Sequence, residues 1–495
     1  MYTLIWICIH IIISNSIIMS ELTKALHRPR YMSHAKDKKA SVLSTIITTV
    51  GNFGVQMNYQ AISVALIVMS VSVCTKDKDD CKDGEQETWV LSSATAVVFA
   101  GSIAGQLCMG YAGDVMGRTN AMGLTQFIAI ISALFSAVLP MGDATQKYMT
   151  IIICRFFLGI GLGGVYPLAA TKAAEDASSG GTNPAASAKS FFWQTPGSLA
   201  PWILALIFTA SDLSTNMRWR LLLGLGVIPG TIVLICVMLE NEQRYERTHK
   251  PSLDINDIYR KESIVAEAIE HKDVWLKLIG TGGSWFIFDV CYYGVGLFGG
   301  EILDSMGGES DDISSDHSIV QLSWKQLVAL SMGIPGVILT ISLMPYMTLK
   351  NLQIAGFFLT AIGFVVMAVC FFPLKKHFPD VLFAMYCFLL FALQFGPNVT
   401  TYVIPSTVYP KEVRSTMNGL SAASGKLGAV AGAYIFGAVV DVTSLPTVMT
   451  LCACLSVVGM VITYYFIEEL EDDESEEGMN ASTSKLIDEK TIIST

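Results

Sequence analysis

The sequence predicts an all-helical membrane protein with twelve transmembrane helices in two six-helix bundles around a central cavity. The chain has 495 residues, of which 52% are hydrophobic and 15% are charged, and its mean hydropathy is +0.51. Soluble domains carry roughly 25% charged residues, so this composition is typical of a chain that lies largely in lipid. About twelve separate apolar runs, each close to the roughly 20 residues that cross a bilayer, indicate the same architecture.

The hydrophilic gap between the sixth and seventh runs is the widest, and it divides the chain into two halves. The predicted spans are 41–73, 88–112, 121–140, 148–170, 189–210, 220–239, 276–299, 324–348, 351–372, 380–408, 416–438 and 444–467. We therefore predict five regions. They are an N-terminal cytoplasmic segment (1–40), an N-terminal bundle (41–239), a cytoplasmic linker (240–275), a C-terminal bundle (276–467) and a disordered acidic tail (468–495).

Two regions of the sequence leave alternatives open. Residues 1–19 are apolar but lack a basic start and a clear cleavage site, so we expect translation to begin at Met19 or Met32 rather than a thirteenth span. An interfacial helix is a further alternative. Cys74 and Cys81 flank a hydrophilic loop, where they either form a disulfide or stay unpaired.

Lys and Arg residues predict the orientation. They concentrate in the N-terminal segment and in the linker, whereas the 141–147 loop has only Lys147 and the 439–443 loop has none. Because positive loops stay in the cytoplasm, both termini and the linker should be cytoplasmic.

Charged residues inside the spans are the strongest candidates for function. Asp289 interrupts the apolar run WFIFDVCYYGVGLF (285–298), and Trp285 and Tyr293 lie four residues to either side of it, on the same helix face. Lys426 lies in another span. Since buried charges are costly in a bilayer, such residues usually bind a substrate or an ion.

Several classes of function find no support in the sequence. There is no nucleophile–base pair, phosphate-cradling glycine loop or metal-ligand cluster, so we expect no enzyme, no catalytic residues, no cofactor and no metal site. Most cysteines lie within apolar runs as small hydrophobic residues. No extended basic patch indicates nucleic-acid binding.

The loop GYAGDVMGRTN (110–120) resembles the signature loop of the major facilitator superfamily. Gly110 and Gly117 would permit a tight turn, and Asp114 and Arg118 would pair or cap neighbouring helix ends. The role that the resemblance implies for these four residues is gating, because their contacts would hold one conformation of a two-bundle transporter.

Three further stretches, CRFFLGIGLGGVYPLAA (154–170), GTGGSWFIFDVCYYGVGLF (280–298) and FGPNVTTYVIPSTVYPKEVRSTMNGLSAASGKLGA (395–429), are similar to the phosphate:proton symporter family, which includes fungal and plant high-affinity phosphate permeases. The resemblance implies a monomer in the plasma membrane that carries inorganic phosphate together with protons. The implied phosphate-binding residues are Tyr166, Gln194, Trp285, Asp289, Tyr293, Asn398 and Lys426. Gly396 and Pro397 would loosen the helix around Asn398 and free backbone groups to line a cavity.

A mechanism follows from the two buried charges. Asp289 and Lys426 would neutralise each other in the empty carrier. Dihydrogen phosphate beside Lys426 would disfavour an ionised Asp289, which would take up a proton and then donate it in a hydrogen bond to the phosphate. The neutral, loaded carrier could then change its orientation.

Two departures from the family keep other functions open. The family usually has an acidic residue before the tyrosine of the fourth span, where this chain has Val165, and residues 41–73 contain no carboxylate. A facilitator, another coupling ion, or a carrier of an organic anion or phosphodiester are alternatives within the same class. A phosphate sensor without net flux is an alternative of another class. Arg155 would either attract anions or pair locally.

Overall fold

The computed structural model describes residues 35–74, 88–178, 181–249, 255–304 and 316–468, and within these ranges all regular structure is helical. The apolar segment 1–19, Cys81 and the tail after residue 468 lie outside the described residues. The start of translation, the Cys74–Cys81 pair and the disorder of the tail therefore stay predictions.

Long helices and short breaks alternate along the described chain. In order, the helices are α1 (Ala35–Cys74), α2 (Thr88–Met116), α3 (Arg118–Val138), α4 (Ala144–Asp176), α5 (Pro184–Phe192), α6 (Gln194–Thr209), α7 (Thr215–Gly224), α8 (Val227–Thr248), α9 (Ile255–Ile269), α10 (Lys272–Asp304), α11 (Asp316–Ser331), α12 (Gly333–Leu343), α13 (Leu349–His377), α14 (Pro379–Gln394), α15 (Pro397–Val403), α16 (Pro405–Val408), α17 (Arg414–Val442) and α18 (Leu445–Phe466).

Every predicted span coincides with one of these helices or with a broken series of them. Within the described residues, nine helical segments are long and apolar enough to cross a membrane. The spans that complete the predicted twelve are α1, α10 and α17, and each of them buries polar or charged side chains such as Asn52, Asp289 and Lys426.

The break between α14 and α15 shows why some spans are discontinuous. Pro397 has no backbone N–H and disrupts the preceding turn. Gly396 has a φ of 76°, and a Cβ there would lie 2.6 Å from the Leu352 carbonyl oxygen, so only glycine fits. Its N–H donates to Thr340 Oγ1 over 2.9 Å, which satisfies the freed backbone group inside the protein.

Glycines bring helices of the same half into close contact. A Cβ on Gly197 of α6 would lie 2.3 Å from the Phe53 carbonyl oxygen of α1. A Cβ on Gly428 of α17 would lie 2.2 Å from the Phe286 carbonyl oxygen of α10. Small residues allow such backbone contact in membrane bundles. These two pairs occupy corresponding places in the two halves, namely the first and fifth spans of each.

The two halves meet between α2 and α17 and between α6 and α11. A Cβ on Gly110 would lie 2.6 Å from the Ser415 carbonyl oxygen, and one on Gly419 would lie 2.3 Å from that of Gln106. The predicted turn at Gly110 is therefore wrong, because α2 continues to Met116 and Gly110 instead admits the backbone of α17. Gly117, with a φ of 93°, is the residue that joins α2 to α3.

The predicted linker contains a helix. Helix α8 extends to Thr248, and α9 lies between it and α10. Val265 of α9 is buried in an apolar cluster with Val115 of α2 and Val413, next to the start of α17. The linker helix thus covers the α2–α17 contact at one end of the bundle.

Candidate functional site

A buried ion pair lies at the centre of the protein. Lys426 Nζ of α17 is 3.3 Å from Asp289 Oδ2 of α10, and each residue is 3% exposed. Isolated charges at such depth would be costly, and pairing reduces that cost. The packing of α10 against α17 through Gly428 brings the two residues together.

Aromatic side chains from both halves surround the ammonium group of Lys426. It donates a hydrogen bond to the Tyr293 hydroxyl oxygen over 2.9 Å. Its Nζ lies 4.7 Å from the ring centroid of Tyr293, 5.4 Å from that of Tyr166, 5.5 Å from that of Phe99 and 6.0 Å from that of Tyr59. Such distances are typical of cation–π contacts. Tyr59, Phe99 and Tyr166 come from α1, α2 and α4, so the cation lies between the halves.

A network of uncharged amides and hydroxyls extends from Tyr166 through the N-terminal half to Tyr402 of α15. Gln56 Nε2 donates to the Tyr166 hydroxyl over 3.1 Å and to Gln194 Oε1 over 3.0 Å. Gln194 Nε2 donates to Asn52 Oδ1 over 2.7 Å, and Asn52 Nδ2 donates to the Tyr402 hydroxyl over 3.0 Å. Amides both donate and accept hydrogen bonds, so this wall can bind an oxyanion and its hydroxyl groups without a net charge.

The Trp285 side chain interacts with the Asp289 carboxylate of the ion pair, whereas Asn398 contacts an uncharged neighbour. The Trp285 ring is 6.4 Å from that of Tyr166, centroid to centroid. Asn398 Nδ2 donates to Gln394 Oε1, and Gln394 Nε2 donates to the Tyr292 hydroxyl over 3.2 Å. The structure therefore connects Asn398 to the ion pair only through other side chains.

Three predicted binding residues contact Lys426 directly, namely Tyr166, Asp289 and Tyr293. The others are connected to it through neighbours, and Gln194 Oε1 lies 3.4 Å from the Tyr166 hydroxyl. Sequence reasoning did not assign Asn52, Gln56, Tyr59, Phe99, Gln394 or Tyr402 to the site. Asn52 and Gln56 lie four residues apart in an apolar span, and this spacing was a usable signal.

Val165 occupies a tightly packed apolar position. It is fully buried, and a Cβ added to Gly51 of α1 would lie 3.4 Å from its Cγ1. The place where the resembling family carries an acid is thus a helix–helix contact in this chain. Together with the absence of carboxylates from residues 41–73, this leaves the N-terminal wall of the site uncharged.

Asp114 joins the two halves at one end of the bundle. Its carboxylate accepts hydrogen bonds from the Ser415 N–H over 3.1 Å, the Thr416 N–H over 2.7 Å and the Thr416 hydroxyl over 2.6 Å. These N–H groups belong to the first turn of α17, which has no side-chain cap of its own. An anion at a helix N-terminus is stabilised by the helix dipole, so Asp114 caps a helix of the other half.

Arginines from each half extend this contact. Arg118 is 3.0 Å from Asp114 and 3.2 Å from Glu175, and Arg414 of the other half is 2.7 Å from the same Glu175. Arg118 also donates to the Lys411 carbonyl oxygen over 2.7 Å. Glu175 was not predicted, although it lies in the last turn of α4, the same helix that carries Tyr166.

The described residues contain no group of His, Cys, Asp and Glu side chains that could hold a metal ion. What they do contain is a cation between two helical halves, a hydrogen-bonding wall and a charged contact that closes one end. This arrangement can bind a small oxyanion and can separate at the closed end.

The comparisons with known proteins agree on a family of carriers. The family described as Sugar (and other) transporter matches residues 44–254 and 312–478. An inorganic phosphate transporter, PT2, of Toxoplasma gondii is 32% identical over 86% of this chain and 72% of its own length. A probable inorganic phosphate transporter, 1-6, of Arabidopsis thaliana is 27% identical over 82% of this chain and 87% of its own.

Solved structures show the same fold. The proton:xylose symporter XylE, bound to 6-bromo-6-deoxy-D-glucose, superposes with a TM-score of 0.66. The match covers 88% of this chain and 97% of XylE at 17% sequence identity.

Proposed function

Because the chain belongs to the sugar (and other) transporter family of the major facilitator superfamily, we propose that it carries inorganic phosphate across a membrane by alternating access. The observation that carries the proposal is the buried Lys426, which contacts Asp289 and Tyr293 of one half and Tyr166 of the other. The names of the relatives in Toxoplasma and Arabidopsis support phosphate as the substrate.

Phosphate would bind by replacing Asp289 as the partner of Lys426. The ammonium group offers three donors, of which Tyr293 and Asp289 occupy two in the empty carrier. The amide wall of Gln56 and Gln194 would complete the shell of hydrogen bonds from the N-terminal half. Since these groups belong to both halves, bound phosphate would hold the halves together.

Asp289 is the proposed proton carrier. Once an anion takes its place beside Lys426, an ionised Asp289 would lie next to that anion in a poorly polarisable surrounding, where the neutral acid is favoured. When Asp289 takes up a proton, the site and its bound substrate have no net charge together. The loaded carrier can then change between its two conformations.

The contact around Asp114 would act as the gate. It joins α2 to α17 through hydrogen bonds that exist only while the halves touch at that end. Opening must break them, and opening at that end releases the substrate. In the proposed orientation both termini, the linker and this gate face the cytoplasm of a plasma-membrane protein that works as a monomer.

A facilitator without proton coupling is the second candidate, and the uncharged N-terminal wall favours it. Asn52, Gln56 and Gln194 cannot carry a proton at neutral pH, and Val165 replaces the family's acid. Downhill transport of phosphate, or of an organic phosphate of similar charge, needs only the anion site.

Radiolabelled phosphate uptake into vesicles with purified protein separates these possibilities. We expect uptake that a pH gradient, acidic on the side of entry, increases, and that excess unlabelled phosphate abolishes more effectively than sulfate or glycerophosphate. Phosphate uptake that does not change with the pH gradient would favour a facilitator without proton coupling. Saturable phosphate binding without any flux would identify a sensor and contradict the proposal.

A further inference from the structure

Arg155 of α4 is a fully buried cation that is not part of the ion pair in the central site. Its Nη1 donates to the Asn58 carbonyl oxygen of α1 over 3.1 Å, and its Nε and Nη2 have no hydrogen-bond partner. The residue is 0% exposed. Among the described residues, no carboxylate lies within ion-pair distance of its guanidinium group.

Such an arrangement is costly without a bound partner. An arginine stays protonated in proteins, and a buried charge without a counter-charge is strongly destabilising. Asn58, whose backbone carbonyl Arg155 contacts, is neutral, and its side chain donates instead to the Gly54 and Gly226 carbonyl oxygens. The other buried cation of α4, Lys172, shows the usual solution, since it lies 2.9 Å from Asp176 and 2.7 Å from Glu240.

Arg155 shares a helix face with the central site. It precedes Tyr166 by eleven residues, which on an α-helix is an offset of about 20° and a rise of about 16 Å. Helix α1 also links Arg155 to the central site. Arg155 contacts Asn58 of this helix, and the ring of the next residue, Tyr59, contacts Lys426. Arg155 therefore lies beyond Tyr166 towards the start of α4, which is the extracytoplasmic end in the proposed orientation.

From this geometry we propose that Arg155 is a second anion-binding position, which holds the transported oxyanion on its way between the extracytoplasmic side and Lys426. The ligand is a monovalent oxyanion such as dihydrogen phosphate. Its oxygens match the planar fork of a guanidinium group, whose free Nε and Nη2 donors can bind two of them. The inference rests on the proposed function, since it takes the cargo to be phosphate.

The position predicts a one-sided effect. Anion entering from the end where α4 begins meets Arg155 before Lys426, whereas anion entering from the gate around Asp114 meets Lys426 first. Losing Arg155 should therefore weaken the capture of phosphate from one side of the membrane only.

The test compares initial rates of phosphate transport in right-side-out and inside-out vesicles from the same expressing cells. For Arg155→Gln we expect the KM for extracytoplasmic phosphate to rise about tenfold, the effect of losing roughly one charge-assisted hydrogen bond. We expect the KM for cytoplasmic phosphate to change less than about twofold. An equal change on both sides, or none, would overturn the proposal.

Arg155→Lys is the second variant and covers the case in which Arg155→Gln does not fold. It keeps the positive charge but loses the planar fork of donors that would bind two oxygens of the anion. We expect a smaller rise in KM on the same side only, which a purely structural role for Arg155 would not produce. An unchanged extracytoplasmic KM in this variant also speaks against the proposal.

Lys172→Gln is the matched control, since it removes a paired cation from the same helix. We expect no one-sided change in its KM, and such a change would overturn the proposal because any buried cation would then have the same effect. A wild-type protein that moves no phosphate in either direction would instead refute the proposed function. A wild type that transports phosphate while both Arg155 variants match it would refute this inference alone.

Discussion

At the scale of single residues, the chemistry concentrates on the ammonium group of Lys426. A carboxylate, a phenol and several aromatic faces stabilise it in a position where water is excluded. Each partner balances part of a charge that lipid or a dry core would otherwise make very costly. A dissolved anion can replace the carboxylate, and this exchange of partners is the elementary step of the proposed transport.

Asp289→Asn tests the proton-carrying role directly. The substitution keeps the size of the side chain but removes the group that can accept and release a proton. We expect the pH gradient to lose its effect on phosphate accumulation, while downhill phosphate exchange persists because Lys426 is retained. Uptake with and without an imposed gradient measures the difference.

Tyr293→Phe is the control for this prediction. It removes the oxygen that accepts a hydrogen bond from Lys426 and leaves Asp289 in place. Phosphate should bind more weakly, and the response to the pH gradient should remain. Full gradient-driven uptake by Asp289→Asn would show that the proton travels by another group.

At the scale of helices, the α2–α17 contact combines very close backbones with unsatisfied polar groups. Glycines at 110 and 419 allow the approach. Gln106 and Asn418 are 0% exposed, and their amide atoms have no hydrogen-bond partners. Buried polar groups without partners are more stable when they are hydrated, so hydration of these amides favours separation of α2 from α17. The hydrogen bonds of Asp114 to the start of α17 oppose that tendency.

Asp114→Asn should shift the protein towards the state that is open at this end. The neutral amide loses the interaction with the helix dipole and one of the acceptors for the Ser415 and Thr416 N–H groups. A cysteine introduced as Gln106→Cys reports the opening, because a buried thiol reacts slowly with an alkylating reagent. We expect faster alkylation of this cysteine in the Asp114→Asn background.

The same Asp114→Asn protein without the introduced cysteine gives the background labelling of the native thiols. Asp176→Asn provides a second comparison, since Asp176 pairs with Lys172 within one half and does not bridge the halves. Equal labelling rates with and without Asp114→Asn would show that other contacts keep the end closed.

At the scale of the whole molecule, large apolar side chains lie on the outward surface, whereas the charged and amide side chains of the site are buried. Large side chains such as Val369, Phe372 and Ile153 are more than half exposed. In a bilayer they would contact acyl chains, which is the reverse of the rule for soluble proteins. The two halves touch through the α2–α17 and α6–α11 contacts and through the side chains of the central site, so a substrate bound between them can influence their arrangement.

Phosphate should therefore stabilise the purified protein against heat. A ligand present at 100 times its Kd adds about 2.7 kcal/mol to the free energy of unfolding, which corresponds to a rise in Tm of a few degrees. We expect this rise with phosphate and a smaller one with sulfate, measured by thermal unfolding in detergent. Lys426→Gln should abolish it, and an unchanged rise in that variant would place the anion site elsewhere.

Local patterns in the sequence were sufficient to predict much of this protein. The spans follow from the lengths of apolar runs, and every one of them is helical in the structure. The break at Gly396 and Pro397 follows from the missing N–H of proline. The alignment of Trp285, Asp289 and Tyr293 follows from the periodicity of a single helix.

Contacts between helices were decided only by the tertiary structure. Asp289 and Lys426 are 137 residues apart, and their distance depends on how α10 and α17 cross rather than on any local period. The position of Glu175 between two arginines and the amide wall around Gln56 likewise depend on how helices pack. The sequence shows that Arg155 is charged, but only the structure shows that no described carboxylate pairs with it. A helix forms through hydrogen bonds between residues that are close in sequence, so local patterns predict it. A site between helices depends on which helix faces pack together, and that is set by contacts between residues far apart in sequence.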